Sequence, residues 1–213
     1  MHAYVDAHGR FPPAVVYGPR GQPLYSWRVL LLPYIEQPDL YNQFHLDEPW
    51  NSPHNLPLLS RIPGTYAPPG SKKKLAPPYH TFLHVFVGKG TAFESPKGEP
   101  FDSFTNGTSN TLLVIEGGPP VPWTKPEEIP YAADQPLPPL ATVFRGYVRV
   151  AMADGSMRFV FVDKEEAALR AMITRNGGEG PMPLEREKTA YPNPAGSEPE
   201  QPAMQGAGSG GAR

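Results

Sequence analysis

Cysteine is absent from this chain. That excludes disulfide staples, thiol nucleophiles and thiolate metal sites, leaving imidazole, carboxylate and carbonyl groups as the available metal ligands. Also absent is any apolar run of the ~20 residues that a membrane-spanning helix requires. The opening stretch, MHAYVDAHGRFPPA, has neither the charged start nor the apolar core of a secretory signal. No excess of basic residues exists. The net charge is −2 and the pI about 6.3, which argues against a nucleic-acid partner, since such proteins carry a basic stripe. Motifs for catalysis are missing as well. No G-x-S-x-G elbow and no H-E-x-x-H pair occurs, and Gly88-Lys89-Gly90 is too short for a phosphate loop. The expectation is a protein that is not an enzyme.

Proline and glycine are what the chain has in excess, with 30 and 21 among 213 residues. That content approaches the level at which irregular structure displaces helices and sheets, although 39% hydrophobic residues still permit a core. The pattern predicts one globular domain over residues 1–178 and a disordered Pro/Gly-rich tail over 179–213, too poor in apolar residues to bury a surface.

His2 to Ala7 reads as a helix ending near Gly9, before Pro12 and Pro13. Leu24, Trp27, Leu31 and Ile35 recur at helical spacing, predicting a helix over 24–37 that Pro33 kinks or ends. PDLYNQF (38–44) follows as a short helix, and Ser52 is a plausible N-cap for another over 53–61. Residues 81–90 and 111–118 read as strands. The proline-rich stretch 119–140 is then expected to be a surface excursion, because proline cannot donate to a central ladder. YVRVAMADGSMRFVFV (147–162) predicts a hairpin turning at Asp154-Gly155. Asp163 with Glu166 three residues on resembles a capping box for a helix whose apolar stripe is Leu169, Met172 and Ile173, closed by Asn176-Gly177-Gly178. Helices, then strands with long insertions, then one more helix give an α+β class with a mainly antiparallel sheet.

Two polar stretches invite a functional reading. In QFHLDEPWNSPHN (43–55), His45, Asp47 and His54, with Glu48 beside them, are residue types that suit zinc or a similar ion. Pro49 and Pro53 break any helical spacing, and the competing expectation is a rigid loop whose acids and Asn/Ser side chains cap nearby backbone. On that expectation His45 and His54 do not face each other, and Trp50 is a packing anchor. In DSFTNGTSNT (102–111), Asp102, Asn106, Thr108 and Asn110 supply the oxygen ligands calcium takes, or else satisfy their own turn around Gly107. Convergence of both loops on one pocket would make this a solute-, glycan- or calcium-binding module. His84, a lone strand histidine, is expected to be structural.

Several blocks, in order, carry a resemblance: HAYVDAHGRFPPA, SWRVLLLPYIEQPDLYNQFHLDEPWNSPHN, FVGKGTAFE, FTNGTSNTLLVIEGG, VPWTKPEEIPYAADQPLP, VAMADGSMRFV and LRAMITRNGGE. They resemble the prepilin-like bacterial family called domain of unknown function 1559, also labelled solute-binding-like. The resemblance implies a type IV pilin- or pseudopilin-like domain, related to type II secretion components, with a truncated N-terminal helix packed on an antiparallel sheet. It implies a location in the cell envelope, with pilin-like subunits or envelope proteins as partners and no cofactor. The membrane would be reached only through an N-terminal helix that this sequence lacks. The helix-ending pattern of the family matches His2, Tyr4, Asp6, Gly9, Phe11, Pro12, Pro13 and Ala14. Trp27, Trp50, Gly107, Asp154 and Gly155 fall on family-motif positions with structural roles. Asp154 and Gly155 match the DG of the family's H-x9-DG element, whose histidine position holds Phe144.

Overall fold

A computed structural model describes residues 1–68, 74–140 and 146–178. Phe144 and the predicted tail 179–213 lie outside the described residues. The centre is a four-stranded antiparallel sheet in the order β3-β5-β7-β8, formed by β3 (His80–His84), β5 (Leu112–Pro122), β7 (Tyr147–Met152) and β8 (Met157–Phe161). The class is α+β, as the element order implies.

The β7–β8 hairpin forms where the alternation places it. Val148, Val150 and Met152 are buried on one face, while Tyr147, Arg149 and Ala151 are half-buried on the other. The connection is a three-residue loop, because the Met152 amide bonds to the Ser156 carbonyl. Gly155, at φ +89°, takes the left-handed position that such loops require, and the Asp154 carboxylate accepts from the Ser156 amide. Helix α4 (Glu166–Ile173) then covers the buried face. Leu169, Met172 and Ile173 pack with Leu112, Ile115, Val148, Val150, Met152 and Val160. Each such side chain contributes about 1.5–3 kcal/mol on full burial.

A second core joins the N-terminal half to the sheet. Val5, Phe11, Leu24, Trp27, Leu32, Leu40 and Phe44 pack with Val85, Leu113 and Trp123. Helix α1 (His2–His8) ends at Gly9, whose left-handed backbone (φ 72°) lets its amide reach the Val5 carbonyl. The helix sits beside the hairpin turn, with His2 Nε2 2.8 Å from the Ala153 carbonyl oxygen, and Tyr4 and His8 against Tyr34.

Several local expectations are corrected. Residues 24–37 are not one helix: β2 (Pro23–Ser26) pairs with β1 (Val15–Tyr17), and α2 (Trp27–Leu30) and a 3-10 turn (Leu32–Ile35) follow. Ser26 starts α2 by accepting from the Arg28 amide, a cap that the apolar spacing concealed. Only Pro38–Tyr41 of the next segment is helical, as α3. Ser52 caps a turn rather than a helix, and the element after it is a 3-10 helix over Leu56–Arg61. Pro119, Pro120 and Pro122 belong to β5, which extends past its pairing with β7 at Glu116 and, among the described residues, bonds only to β3 beyond it, around a register shift. Among the described residues that end has one neighbour, a position at which proline is tolerated. The 81–90 strand is divided into β3 and β4 (Phe86–Val87), and β4 pairs in parallel with β6 (Ile129–Pro130). Asp163 does not cap α4. The cap position is Glu165, whose carboxylate turns back to accept from the Phe161 amide. The helix ends at Thr174, which goes extended and bridges to Thr91, before the asparagine–glycine stretch.

Candidate functional site

The loop over 43–55 is organised by a residue that carries no catalytic signal. Asn55 is fully buried. Its Oδ1 accepts from the His45 amide at 2.9 Å, and its Nδ2 donates to the carbonyls of His45, Pro49 and Glu48 at 2.9, 3.2 and 3.3 Å. One amide thereby replaces a stretch of secondary structure as the partner of the loop's backbone. The imidazoles of His45 and His54 do face each other, contrary to expectation. Their centroids are 3.4 Å apart and their planes 3° from parallel. Asn55 draws the two ends of the loop together, and that closure stacks the rings. Stacked rings point their nitrogen lone pairs in parallel planes rather than at one point. His45 Nδ1 lies 3.0 Å from Glu48 Oε1, and His54 Nε2 lies 2.9 Å from the Gln43 carbonyl oxygen. Hydrogen bonds from Ser52 and His45 hold the Glu48 carboxyl below the usual range. Asp47 does not join them, and among the described residues no group of three or more His, Asp or Glu is arranged to hold a metal ion. Trp50 packs at the edge of the first core, its amide bonded to the Leu24 carbonyl.

The 102–111 stretch follows the same turn chemistry. Asn106 donates to the Thr174 carbonyl and accepts from the Gly178 amide, Asn110 donates to the Asn106 carbonyl, and the Thr108 carbonyl accepts from the Asp154 amide. Gly107 supplies a left-handed backbone (φ +88°). Asp102 is exposed in a 3-10 turn. This loop ties the DG turn to the end of α4, whereas the 43–55 loop ties to β2.

The most buried polar cluster lies elsewhere. Arg28, Glu128 and His84 have side chains that are 0, 1 and 2% exposed. Glu128 accepts from Arg28 Nη1 at 2.8 Å, Trp27 Nε1 at 3.0 Å and the Val85 amide at 2.9 Å. Arg28 Nε also donates to the Leu83 carbonyl at 3.0 Å, and its guanidinium carbon lies 4.8 Å from the Trp27 ring centroid. Tyr66 donates to the Arg28 carbonyl at 2.9 Å, and burial pushes its hydroxyl pKa up, keeping it a donor. His84 Nε2 lies 2.7 Å from the Pro119 carbonyl oxygen, while Nδ1 lies 3.6 Å from Glu128 Oε2. Gly118 makes room for the ring, since a Cβ there would fall 2.2 Å from His84 Cδ2. A cavity of about 530 Å³ opens beside this cluster, bordered by His84, Glu127 and Glu128 and by the apolar Pro119, Ile129, Pro130, Pro138, Pro139 and Leu140.

Residues 1–86 match the model of a family described as a protein of unknown function, DUF1559. The match covers the N-terminal part of the chain, residues 1–86 of 213. No curated protein and no solved structure matches the chain. The DUF1559 segment holds α1, the 43–55 loop, Arg28 and His84, whereas Glu128 comes from the remainder.

A second concavity of about 420 Å³ lies on the other face of the sheet, with Gly64–Pro68 along one side and Thr81, Phe82, Leu83, Glu116 and Arg149 forming the rest. Arg149 Nε donates to Glu116 Oε2 at 2.6 Å across β5 and β7. Neither of these two cavities is bordered by the 43–55 or 102–111 loop. Arg175 forms a further clasp, bonding the Thr91 carbonyl and Glu94 at 2.7 Å and lying 3.4 Å from Glu99. Its hydrogen bond holds the Glu94 carboxyl below its usual range. Asn55, Arg28, Glu128 and Arg175 all escaped the sequence reading. The available signal for Arg28 was a lone cation inside the apolar run SWRVLLL, since a charge there needs a partner.

Proposed function

We propose that the chain is a non-enzymatic, pilin- or pseudopilin-like globular domain that serves assembly or surface interaction at the cell envelope, with pilin-like subunits or envelope proteins as partners. The observation that carries this reading is the seating of α1 on the DG turn: His2 reaches the Ala153 carbonyl, its ring lies 3.3 Å from where a Gly155 Cβ would stand, and Phe101 packs beside it. The two ends of the family's motif set, H-x-Y-x-D and DG, are one contact in space. Such an arrangement presents a helix face from a rigid domain, with the exposed Ala3, Asp6 and Ala7 on its outer side. Among the described residues, no helix is long and apolar enough to cross a membrane. Supporting evidence also comes from the polar loops, whose side chains are engaged with their own backbone.

The absence of cysteine makes the test clean. Ala3→Cys and Ala7→Cys variants, expressed in the native cell and oxidised there, should give crosslinked oligomers and fractionate with the envelope. A monomer confined to the cytosol in both variants overturns the proposal.

A further inference from the structure

We infer that Asn176 is a self-modifying site, at which the Gly177 backbone nitrogen displaces the side-chain amide while the chain stays folded. The inference stands apart from the assembly role and needs no partner or cofactor. The sequence holds two Asn-Gly pairs, Asn106-Gly107 and Asn176-Gly177. In both, glycine has no side chain to hinder its nitrogen, so sequence alone gives them the same chemistry. The fold separates them. Asn106 is held at every polar group: its amide donates to the Arg175 carbonyl, and its carbonyl accepts from Asn110. Its Nδ2 donates to the Thr174 carbonyl at 3.0 Å, and its Oδ1 accepts from the Gly178 amide at 2.9 Å. The Gly107 amide is engaged too, donating to the Phe104 carbonyl at 2.9 Å. Asn176 is exposed. Among the described residues, neither its side chain nor the Gly177 amide makes a hydrogen bond. Nucleophile and target are both unengaged here and both tied at Asn106.

The step balances with water as its only co-reactant. The Gly177 nitrogen gives its proton to water and bonds to Asn176 Cγ, closing a cyclic imide. The Cγ–Nδ2 bond breaks, and the nitrogen leaves as ammonia after taking a proton back. Water then opens the ring at either carbonyl, giving aspartate, or isoaspartate where the backbone carbonyl is cut. Isoaspartate routes the main chain through an added methylene between Thr174 and Gly178, the two residues that the Asn106 side chain holds. The new carboxylate also forms beside Gly90, since Asn176 Oδ1 lies 3.4 Å from where a Gly90 Cβ would stand. The Gly90 amide donates to Glu94, a partner of Arg175, so the modification adds like charge next to that clasp. Both changes loosen the seam between the 102–111 loop and the end of α4. Gly177 itself is fixed by packing, because a Cβ there would fall 2.6 Å from Thr174 Oγ1.

Peptide mapping by mass spectrometry follows both sites while the intact protein is held in mildly alkaline buffer. Asn176 should lose its amide, and Asn106 should do so at least about tenfold more slowly, because its hydrogen bonds must open first. In urea, where those bonds are gone, the two rates should come together. Asn176→Gln removes the short side chain that closes the ring, so this variant should keep its amide through the same incubation. Hydrogen exchange reads the consequence. The Asn106 and Gly178 amides should exchange faster in aged than in fresh protein, and stay unchanged in incubated Asn176→Gln. The inference is overturned if the two sites lose their amides at similar rates in the folded chain, or if the preference persists in urea. It is also overturned if the aged protein exchanges those amides at the fresh rate.

Discussion

The loop over 43–55 and the Arg28–Glu128–His84 cluster are both polar, and they differ in almost everything else. In the loop the residues are neighbours in sequence and lie in water, with the side chains of His45 and Glu48 51 and 39% exposed. In the cluster Arg28 and Glu128 are 100 residues apart and no more than 1% exposed. Water screens the exposed contact, whereas breaking one partner out of a buried pair costs about 3–5 kcal/mol. A run of histidines and acids in sequence thus marked a turn that caps itself. The expensive electrostatics came from topology, where α2 and the β6 segment bring distant charges together beneath β3.

Breaking the buried pair should therefore have the largest effect. Arg28→Met leaves Glu128 charged and unpaired, and is expected to lower unfolding stability by about 3–5 kcal/mol. Adding Glu128→Gln should recover part of that loss, since the two positions are coupled. Urea denaturation of the three proteins checks it, and additive losses would show that the pair does not act as a unit. Next in size is Asn55→Ala. It removes four hydrogen bonds from a fully buried amide and should cost about 1–3 kcal/mol from the backbone groups left unsatisfied. The damage should be local, seen as faster proteolysis within 45–54, with the His45–His54 stack lost from the imidazole proton spectrum.

These two positions also show what the sequence could reveal. The β7–β8 hairpin and the apolar stripe of α4 were legible because their signals are short-range: an alternation of period two, a DG turn, and residues three and four apart on one helix face. The 24–37 segment misled because Leu24, Trp27, Leu31 and Ile35 satisfy helical spacing while being divided among a strand, a helix and a 3-10 turn, with Ser26 as the unrecognised start. The proline end of β5 was misread because the strand outlasts one of its neighbours, a fact of pairing rather than of composition. The polar loops were half-legible: Asn and Ser capping was expected, but not the stacking of His45 on His54. Glu128 was invisible, since nothing in KPEEIP distinguishes it from the exposed Glu127 beside it.

Gly118→Ala tests the cluster more gently. The added Cβ meets the His84 ring at 2.2 Å, so the ring must move or β5 must shift, at a cost of about 1–3 kcal/mol for overpacking. The same substitution should displace the His84 Nε2 proton resonance, because its bond to the Pro119 carbonyl depends on the ring's position. An unchanged resonance would mean that Gly118 does not position His84.

The smallest effect belongs to the exposed loop, and it depends on pH. Hydrogen bonds from Ser52 and His45 lower the Glu48 pKa in the folded chain. A carboxyl depressed on folding binds fewer protons in the native state, so it stabilises above its unfolded pKa and loses that contribution as pH falls through the folded value. Glu48→Gln should therefore change stability little in the acid limit, where the native carboxyl is protonated as well. Its small cost should appear only on returning to neutral pH. Urea midpoints for the two proteins, followed from neutral pH down through the carboxylate range, should converge as the pH drops. If instead Glu48→Gln were as damaging as Arg28→Met at neutral pH, the 43–55 loop would hold far more of the molecule's electrostatic stability than its exposure allows.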